Sequence, residues 1–153
     1  MENWLEKAEV LTLKGRISVP YTWWVGETGS HFLNTIRNEA KILGSRCASC
    51  GTVFVPPRKN CGRCFTLTKE LTECGPDGVV TAFTIVRKGH GMHPEKVPFA
   101  HVLVRLDRAD VDISHLVTED LDKLSVGARV KAVFREPSER CADILDIKGF
   151  QFI

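Results

Sequence analysis

The chain has 153 residues, of which 43% are hydrophobic and 26% charged, and its 21 basic and 19 acidic residues leave a formal net charge of +2. This near-balanced charge does not favour a polybasic nucleic-acid binder, and no apolar run approaches the roughly 20 residues of a membrane span. The N-terminal residues also lack the apolar stretch of a signal peptide. We therefore expect a cytoplasmic protein without membrane contact, in which paired cysteines are more often metal ligands than disulfides.

The N-terminal part of the chain, residues 1–44, is predicted to be a helical segment. Residues 1–13 place four apolar side chains on one side of a short helix: Trp4, Leu5, Ala8 and Leu11. A clearer amphipathic helix is predicted over residues 30–43, with Ser30 as its N-cap and Gly44 as its C-terminal stop. Because its apolar residues share one side, this helix needs a surface to pack on.

An aromatic segment between the two predicted helices contains Tyr21, Trp23 and Trp24. These side chains either pack inside the chain or dock on a partner protein, since aromatic residues are enriched at interface cores. A chain of this length has a limited core in which to bury three large rings. We therefore predict that this segment, together with the helix at 30–43, docks on a partner.

Two C-x2-C pairs, Cys47/Cys50 and Cys61/Cys64, lie in residues 45–66, which show almost no hydrophobic periodicity. Two thiolates separated by two residues can hold one ion from a tight turn, and two such turns complete a tetrahedron. We predict one Zn²⁺ bound by all four cysteines. Its role should be structural, because four protein ligands leave no open position for water.

Other interpretations of these cysteines stay open from the spacing: two disulfides, a redox dithiol, or iron in a rubredoxin-like site. The reducing cytoplasm disfavours disulfides. Two C-x2-C pairs, which we call knuckles, imply four ligands for one ion and not a single redox dithiol. Tetrahedral sulfur coordination suits both zinc and iron. Cys74 and Cys141 fall outside the pattern, and we expect both to be small buried hydrophobic residues.

Strand-like segments follow from residue 67 to the end, at 68–74, 78–87, 98–106, 112–118, 128–135 and 142–148. Turn-forming residues at 75–78 separate the first two. Short strands with few helices favour a small closed or partly open barrel. The predicted fold is mainly β with N-terminal helices: a zinc ribbon over residues 45–66, then a five- to six-stranded OB-type β-barrel domain over residues 67–153.

Several segments, taken together, resemble one protein family. They are the two knuckles with the intervening Phe54-Val55-Pro56-Pro57-Arg58, the pattern Gly78-x-Val80-x-x-Phe83-Thr84, and Pro98-Phe99-Ala100 leading into Val102-Leu103-Val104-x-Leu106-Asp107. These residues resemble the DUF35 family of acyl-CoA-associated proteins, in which a rubredoxin-like zinc ribbon precedes an OB-fold. The resemblance extends over residues 20–135.

The resemblance implies an accessory subunit in a hetero-oligomer, whose thiolase-like catalytic subunit carries the nucleophile and acts on a coenzyme A thioester. Family members also associate with thiolase-like aldolases, hydroxymethylglutaryl-CoA synthases and MaoC-type hydratases. One branch provides the small subunit of a benzoylsuccinyl-CoA thiolase in anaerobic aromatic degradation, and we favour it over a second branch that serves steroid side-chain breakdown. The residues themselves contain no nucleophile–base pair in a recognisable motif, so we predict no catalytic residue in this chain.

A basic loop joins the strands predicted at 78–87 and 98–106 and contains Arg87, Lys88, His90 and Lys96. With Arg58 of the ribbon, these residues are candidate contacts for the phosphates of coenzyme A; a solvated hairpin loop is the alternative. The alternative function is a nucleic-acid-binding module, because zinc ribbons and OB-folds both often bind nucleic acid. That function requires a basic face with exposed aromatic side chains, so the balanced charge leads us to expect no nucleic-acid partner.

Overall fold

The computed structural model describes residues 9–15, 17, 19–89 and 95–153 of the chain. These residues form one α-helix, α1 (Gly26–Glu39), and eight strands: β1 (Ile42–Arg46), β2 (Val53–Phe54), β3 (Glu70–Cys74), β4 (Asp77–Val86), β5 (Phe99–Leu106), β6 (Ile113–Val117), β7 (Arg129–Phe134) and β8 (Ile147–Phe152). Short 3-10 helices lie at Leu121–Lys123, Pro137–Glu139 and Ile144–Asp146. None of the described helices has the length and the apolar composition of a membrane-spanning segment.

Helix α1 lies four residues earlier than the helix predicted over 30–43. Ala40 ends it by adopting a left-handed backbone with φ 53°, and the Ala40 N–H donates to the Ile36 carbonyl at 3.1 Å. Ser30 therefore lies inside the helix, and Gly44 lies inside β1. The prediction was wrong because the apolar spacing continues past residue 40, while the helix end depends on backbone geometry that the spacing does not report.

The described residues that precede α1 form neither helix nor strand. The short helix predicted over residues 1–13 falls partly on residues 1–8, which lie outside the described residues, and residues 9–13 are not helical. The described residues between 9 and 25, which we call the N-terminal arm, leave most of their large apolar side chains exposed, among them Val10, Leu11, Leu13, Ile17 and Val19.

The eight strands form two antiparallel sheets. One has the order β2-β1-β3 and the other the order β6-β5-β4-β7-β8. The five-stranded sheet curls until its edge strands meet, since the His115 ring on β6 lies 6.0 Å from the Phe150 ring on β8, measured between centroids. This curled sheet is the small barrel that the strand pattern predicted. The strand predicted at 68–74 lies outside it, because β3 pairs with β1 in the three-stranded sheet.

One hydrophobic core joins the helix, the three-stranded sheet and the barrel. Phe32 and Ile36 of α1 and Ile42 of β1 are buried in the same cluster as the barrel residues Val80 and Val104. The β5–β6 loop also joins the sheets by hydrogen bonds, because the Val53 N–H donates to the Asp110 carboxylate at 2.8 Å and the Asp110 N–H donates to the Val53 carbonyl at 3.0 Å. The short strand β2 is thereby fixed against the barrel.

The strand predicted at 142–148 is wrong, because this segment forms a turn and β8 begins only at Ile147. The Asp146 carboxylate is fully buried and accepts hydrogen bonds from the backbone N–H groups of Cys141, Ala142 and Asp143 at 2.8 to 3.2 Å. These donors would pair with a neighbouring strand in a sheet. A local side chain satisfies them instead, and the chain turns.

Replacing Asp146 with asparagine should lower the free energy of unfolding by about 2 kcal/mol, because the amide NH2 cannot accept the bonds that the carboxylate accepts. Burial alone raises the pKa of Asp146, but the hydrogen bonds from the backbone N–H groups outweigh it and leave the pKa below its usual value. The stabilisation is therefore complete above the unfolded-state pKa of about 3.9 and is lost as the pH falls through the folded-state pKa.

Urea unfolding of the Asp146→Asn variant at neutral and acidic pH checks this prediction, with Asp122→Asn, at an exposed carboxylate, as the control. The stability difference between the wild type and Asp146→Asn should shrink at the acidic end of the series. A difference that grows on acidification would contradict this role for the carboxylate.

Candidate metal centre and neighbouring surfaces

The four paired cysteines form a compact sulfur cluster. Their Sγ atoms all lie within 4.8 Å of one another, and the sulfurs of Cys50 and Cys61 are 3.8 Å apart. A tetrahedron with metal–sulfur bonds of about 2.3 Å has sulfur–sulfur edges of about 3.8 Å. The described cysteines therefore fit one tetrahedral ion, and an S4 donor set suits zinc or iron.

Two similar turns place the four thiols. In the first, the Gly51 N–H donates to the Cys47 carbonyl at 2.8 Å, and in the second, the Phe65 N–H donates to the Cys61 carbonyl at 3.0 Å. The backbone N–H groups of Arg63 and Cys64 also point at the Cys61 sulfur at 3.4 Å. Two backbone N–H groups of the second turn thus point at one candidate ligand atom.

The protonation of the thiols also fits a cation-binding role. A hydrogen bond with the Thr66 hydroxyl, 3.5 Å from the Cys47 sulfur, lowers the pKa of Cys47 to about 6. Contact with the Cys50 thiol raises the pKa of Cys64 to about 12. Four crowded thiols thus resist becoming four thiolates by themselves, and a divalent cation would supply the opposing charge. With four protein ligands, the ion would have no open position, which is typical of structural zinc.

The two remaining cysteines differ from each other. Cys74 is buried as predicted, with its sulfur 3.8 Å from the carbonyl oxygens of Thr72 and Arg108. Cys141 was expected to be buried and is exposed, because it lies in the turn around Asp146 and not in a strand.

His115 is buried, and that burial lowers the pKa of its ring.

The aromatic residues of the N-terminal arm lie on the surface. Tyr21, Trp23 and Trp24 are 75%, 70% and 78% exposed. Tyr21 and Trp23 line a groove of about 470 Å³, and its other wall includes Leu33 of α1 and Ile144. The apolar face of α1 was expected to dock on a partner, but it packs inside this chain, because Phe32 and Ile36 are buried in the core. The arm, and not that helix face, is free to dock.

The described basic candidate residues lie in two different parts of the chain. Arg58 lies in the ribbon, with its guanidinium 5.2 Å from the centroid of the Phe54 ring. Arg87, Lys88 and Lys96 are exposed in the β4–β5 loop, and His90 lies outside the described residues. The loop follows the C-terminal end of the ten-residue strand β4, whereas the three-stranded sheet next to the ribbon precedes its N-terminal end. A strand of ten residues is roughly 30 Å long.

Two family models match adjoining segments of the chain. The model described as "ChsH2, rubredoxin-like zinc ribbon domain" matches residues 36–70, which contain all four clustered cysteines. The model described as "ChsH2, C-terminal OB-fold domain" matches residues 72–135, which contain β4 to β7. The predicted fold class, a zinc ribbon followed by an OB-type barrel, is confirmed, and the zinc-ribbon match together with the sulfur geometry supports structural zinc.

Two curated relatives share most of their length with this chain, and both are described as a DUF35 domain-containing scaffold protein. The one from Methanothermobacter thermautotrophicus is 28% identical over 112 residues, which are 72% of this chain and 84% of the relative. The one from Methanocaldococcus jannaschii is 25% identical over 118 residues, which are 76% of this chain and 84% of the relative.

Two solved structures share the fold. A DUF35-family protein of unknown function from Sulfolobus solfataricus has a TM-score of 0.59 and 28% identity, over 71% of this chain and 78% of that chain. A chain of a structure described as "Ltp2-ChsH2(DUF35) aldolase" also has a TM-score of 0.59, with 21% identity over 76% of this chain and 90% of that chain. At that identity the second likeness concerns the fold alone.

Proposed function

Because this chain belongs to the DUF35 family, with a zinc ribbon and an OB-fold domain of the ChsH2 type, we propose that it is a non-catalytic scaffold subunit of a thiolase- or aldolase-type enzyme that acts on an acyl-CoA. Two relatives are described as scaffold proteins. In the solved aldolase structure, ChsH2 is paired with Ltp2. A subunit of this kind binds an enzyme and leaves the bond-making chemistry to it.

The exposed aromatic side chains of the N-terminal arm are the main structural support for this function. Trp23 and Trp24 each leave at least 70% of the side chain in solvent. Exposed apolar patches of this kind mark interaction sites, and tryptophan and tyrosine are enriched among residues that dominate binding energy. The zinc ribbon and the barrel form one core behind the arm, which gives a rigid support for docking.

We further propose that the acyl-CoA reaches the β4–β5 loop of this subunit within the complex. Arg87, Lys88 and Lys96 are exposed there, and cationic side chains suit the phosphates of coenzyme A. His90, outside the described residues, belongs to the same proposed loop site. Arg58 would contact the ligand or the enzyme from the ribbon, at a separate position. A role as small subunit of a benzoylsuccinyl-CoA thiolase remains a proposal that rests on the sequence resemblance.

The isolated chain should turn over no acyl-CoA, because among the described residues no hydrogen bond joins a cysteine or serine to a histidine. Thiolysis and aldol-cleavage assays of the purified chain, of the partner enzyme and of the two mixed in equal amounts check this expectation. We expect activity from the mixture and none from the chain alone. Turnover by the chain alone, at a rate that follows its concentration, would show that it is itself an enzyme.

A further inference from the structure

Phe65 combines two unfavourable features at the tip of the second cysteine turn. Its backbone has φ 57°, in the left-handed region that bulky side chains rarely adopt. Its side chain is 85% exposed, a larger fraction than that of any other described aromatic residue. Strained backbone of this kind is found most often at functional positions.

The first cysteine turn shows that the metal site does not need this ring. Gly51 occupies the corresponding position, since its N–H donates to the Cys47 carbonyl as the Phe65 N–H donates to the Cys61 carbonyl. Gly51 has φ 76°, which glycine adopts at no steric cost. Glycine would therefore satisfy the second turn as well, and the phenyl ring is an addition to a turn that folds without it.

The small hairpin that carries Phe65 exposes one further apolar side chain and two cations. Leu67, 49% exposed, is bridged to Asn60 across the small hairpin that carries the ring. Lys59 and Arg63, which belong to the same hairpin, are also exposed. No acidic residue lies between positions 40 and 69 of the sequence, and in the described part of the chain Lys59 and Arg63 make no ion pair. We call Lys59, Arg63, Phe65 and Leu67 the knuckle tip.

We propose that the knuckle tip is a second docking surface, separate from the N-terminal arm, and that it takes an apolar pocket rimmed by aspartate and glutamate on a partner protein. The ring would fill the pocket, and the two cations would face the acidic rim. Non-specific binding of single-stranded nucleic acid uses several aromatic stacking surfaces, whereas Phe65 is the one exposed aromatic residue in the described residues 40–69. The proposal rests on the proposed scaffold function only in taking the occupant to be a protein.

A photo-crosslinking amino acid at position 65 of the full chain, expressed in its own organism, identifies the occupant. The matched control carries the same group at Val126, which is also exposed but lies outside the ribbon. Mass spectrometry of the crosslinked peptide should find apolar residues flanked by acidic residues of a protein at position 65, and no such product at position 126. Equal crosslinking at both positions, crosslinks to nucleic acid, or no product at position 65 would overturn the proposal.

Binding and stability of Phe65→Gly then separate docking from a structural role. Glycine relieves the left-handed strain, so the thermal midpoint should stay the same or rise, while affinity for the crosslinked protein should fall about tenfold or more. Phe65→Asn, which tolerates the same backbone, should behave alike, and Val126→Ala should change neither quantity. Unchanged affinity in both Phe65 variants would overturn the proposal.

The two proposals fail in different ways in these experiments. A thiolase- or aldolase-like enzyme that binds the chain, with no crosslinked protein at position 65, would contradict the knuckle-tip surface and leave the proposed function standing. A crosslinked protein at position 65 of a chain that binds no thiolase- or aldolase-like enzyme would do the reverse.

Discussion

Cys61→Ser should remove the metal from the chain and unfold the ribbon, with a loss of at least about 3 kcal/mol in the free energy of unfolding. Cys61 is buried, and its sulfur lies in a small cluster with Cys47 and Phe54, against Val111 of the barrel. A serine hydroxyl cannot replace a thiolate ligand of zinc. Because β2 also belongs to the core shared with the barrel, the loss should reach beyond the ribbon.

Metal content by elemental analysis, soluble yield and the thermal midpoint measure this effect together. Cys141→Ser is the matched control, since Cys141 is an exposed cysteine outside the cluster. We expect one zinc per chain in the wild type and in Cys141→Ser, and a low yield with little zinc in Cys61→Ser. A Cys61→Ser chain that keeps both the wild-type midpoint and the wild-type solubility would contradict a structural metal. Iron in place of zinc would correct only the identity of the ion.

Trp24→Ala should weaken the complex with the partner enzyme by about 2 kcal/mol, close to thirtyfold in Kd, and leave the thermal midpoint of the free chain unchanged. The ring is 78% exposed, so its removal takes little from the core. Phe32→Ala is the contrasting variant, because Phe32 lies on the buried face of α1, in the core. That variant should lower the midpoint by several degrees.

Isothermal titration of the enzyme with each variant, alongside thermal melts of the free chains, distinguishes docking from internal packing. A Trp24→Ala chain with lower stability and unchanged affinity would remove the arm from the interface.

The cluster of four cysteines was predictable because its signal is local in the sequence. Four cysteines in two C-x2-C turns determine the donor set without knowledge of the rest of the chain. The barrel strands were predictable for a similar reason. The alternation along β7 indicates which side chains face the core, and the turn residues before β4 mark where that strand begins.

Other features depend on contacts that sequence patterns do not contain. Ala40 ends α1 through its backbone conformation, and the Asp146 carboxylate turns a segment whose composition is typical of a strand. Strand β2 has two residues and is held by Asp110, which lies far along the chain in the β5–β6 loop. The left-handed backbone and the exposed ring of Phe65 have no signal in the sequence, except that Phe65 corresponds to Gly51 in the other turn.

If this chain is a scaffold subunit of a thiolase- or aldolase-type enzyme, the two proteins should be isolated together. Isolation of the tagged chain from its own organism at low salt, followed by native mass spectrometry of what remains bound, measures this. We expect a complex in which a thiolase- or aldolase-like protein is present in a fixed ratio to this chain, and Trp24→Ala should deplete that protein. A chain recovered alone, or bound to nucleic acid without such an enzyme, would contradict the scaffold function.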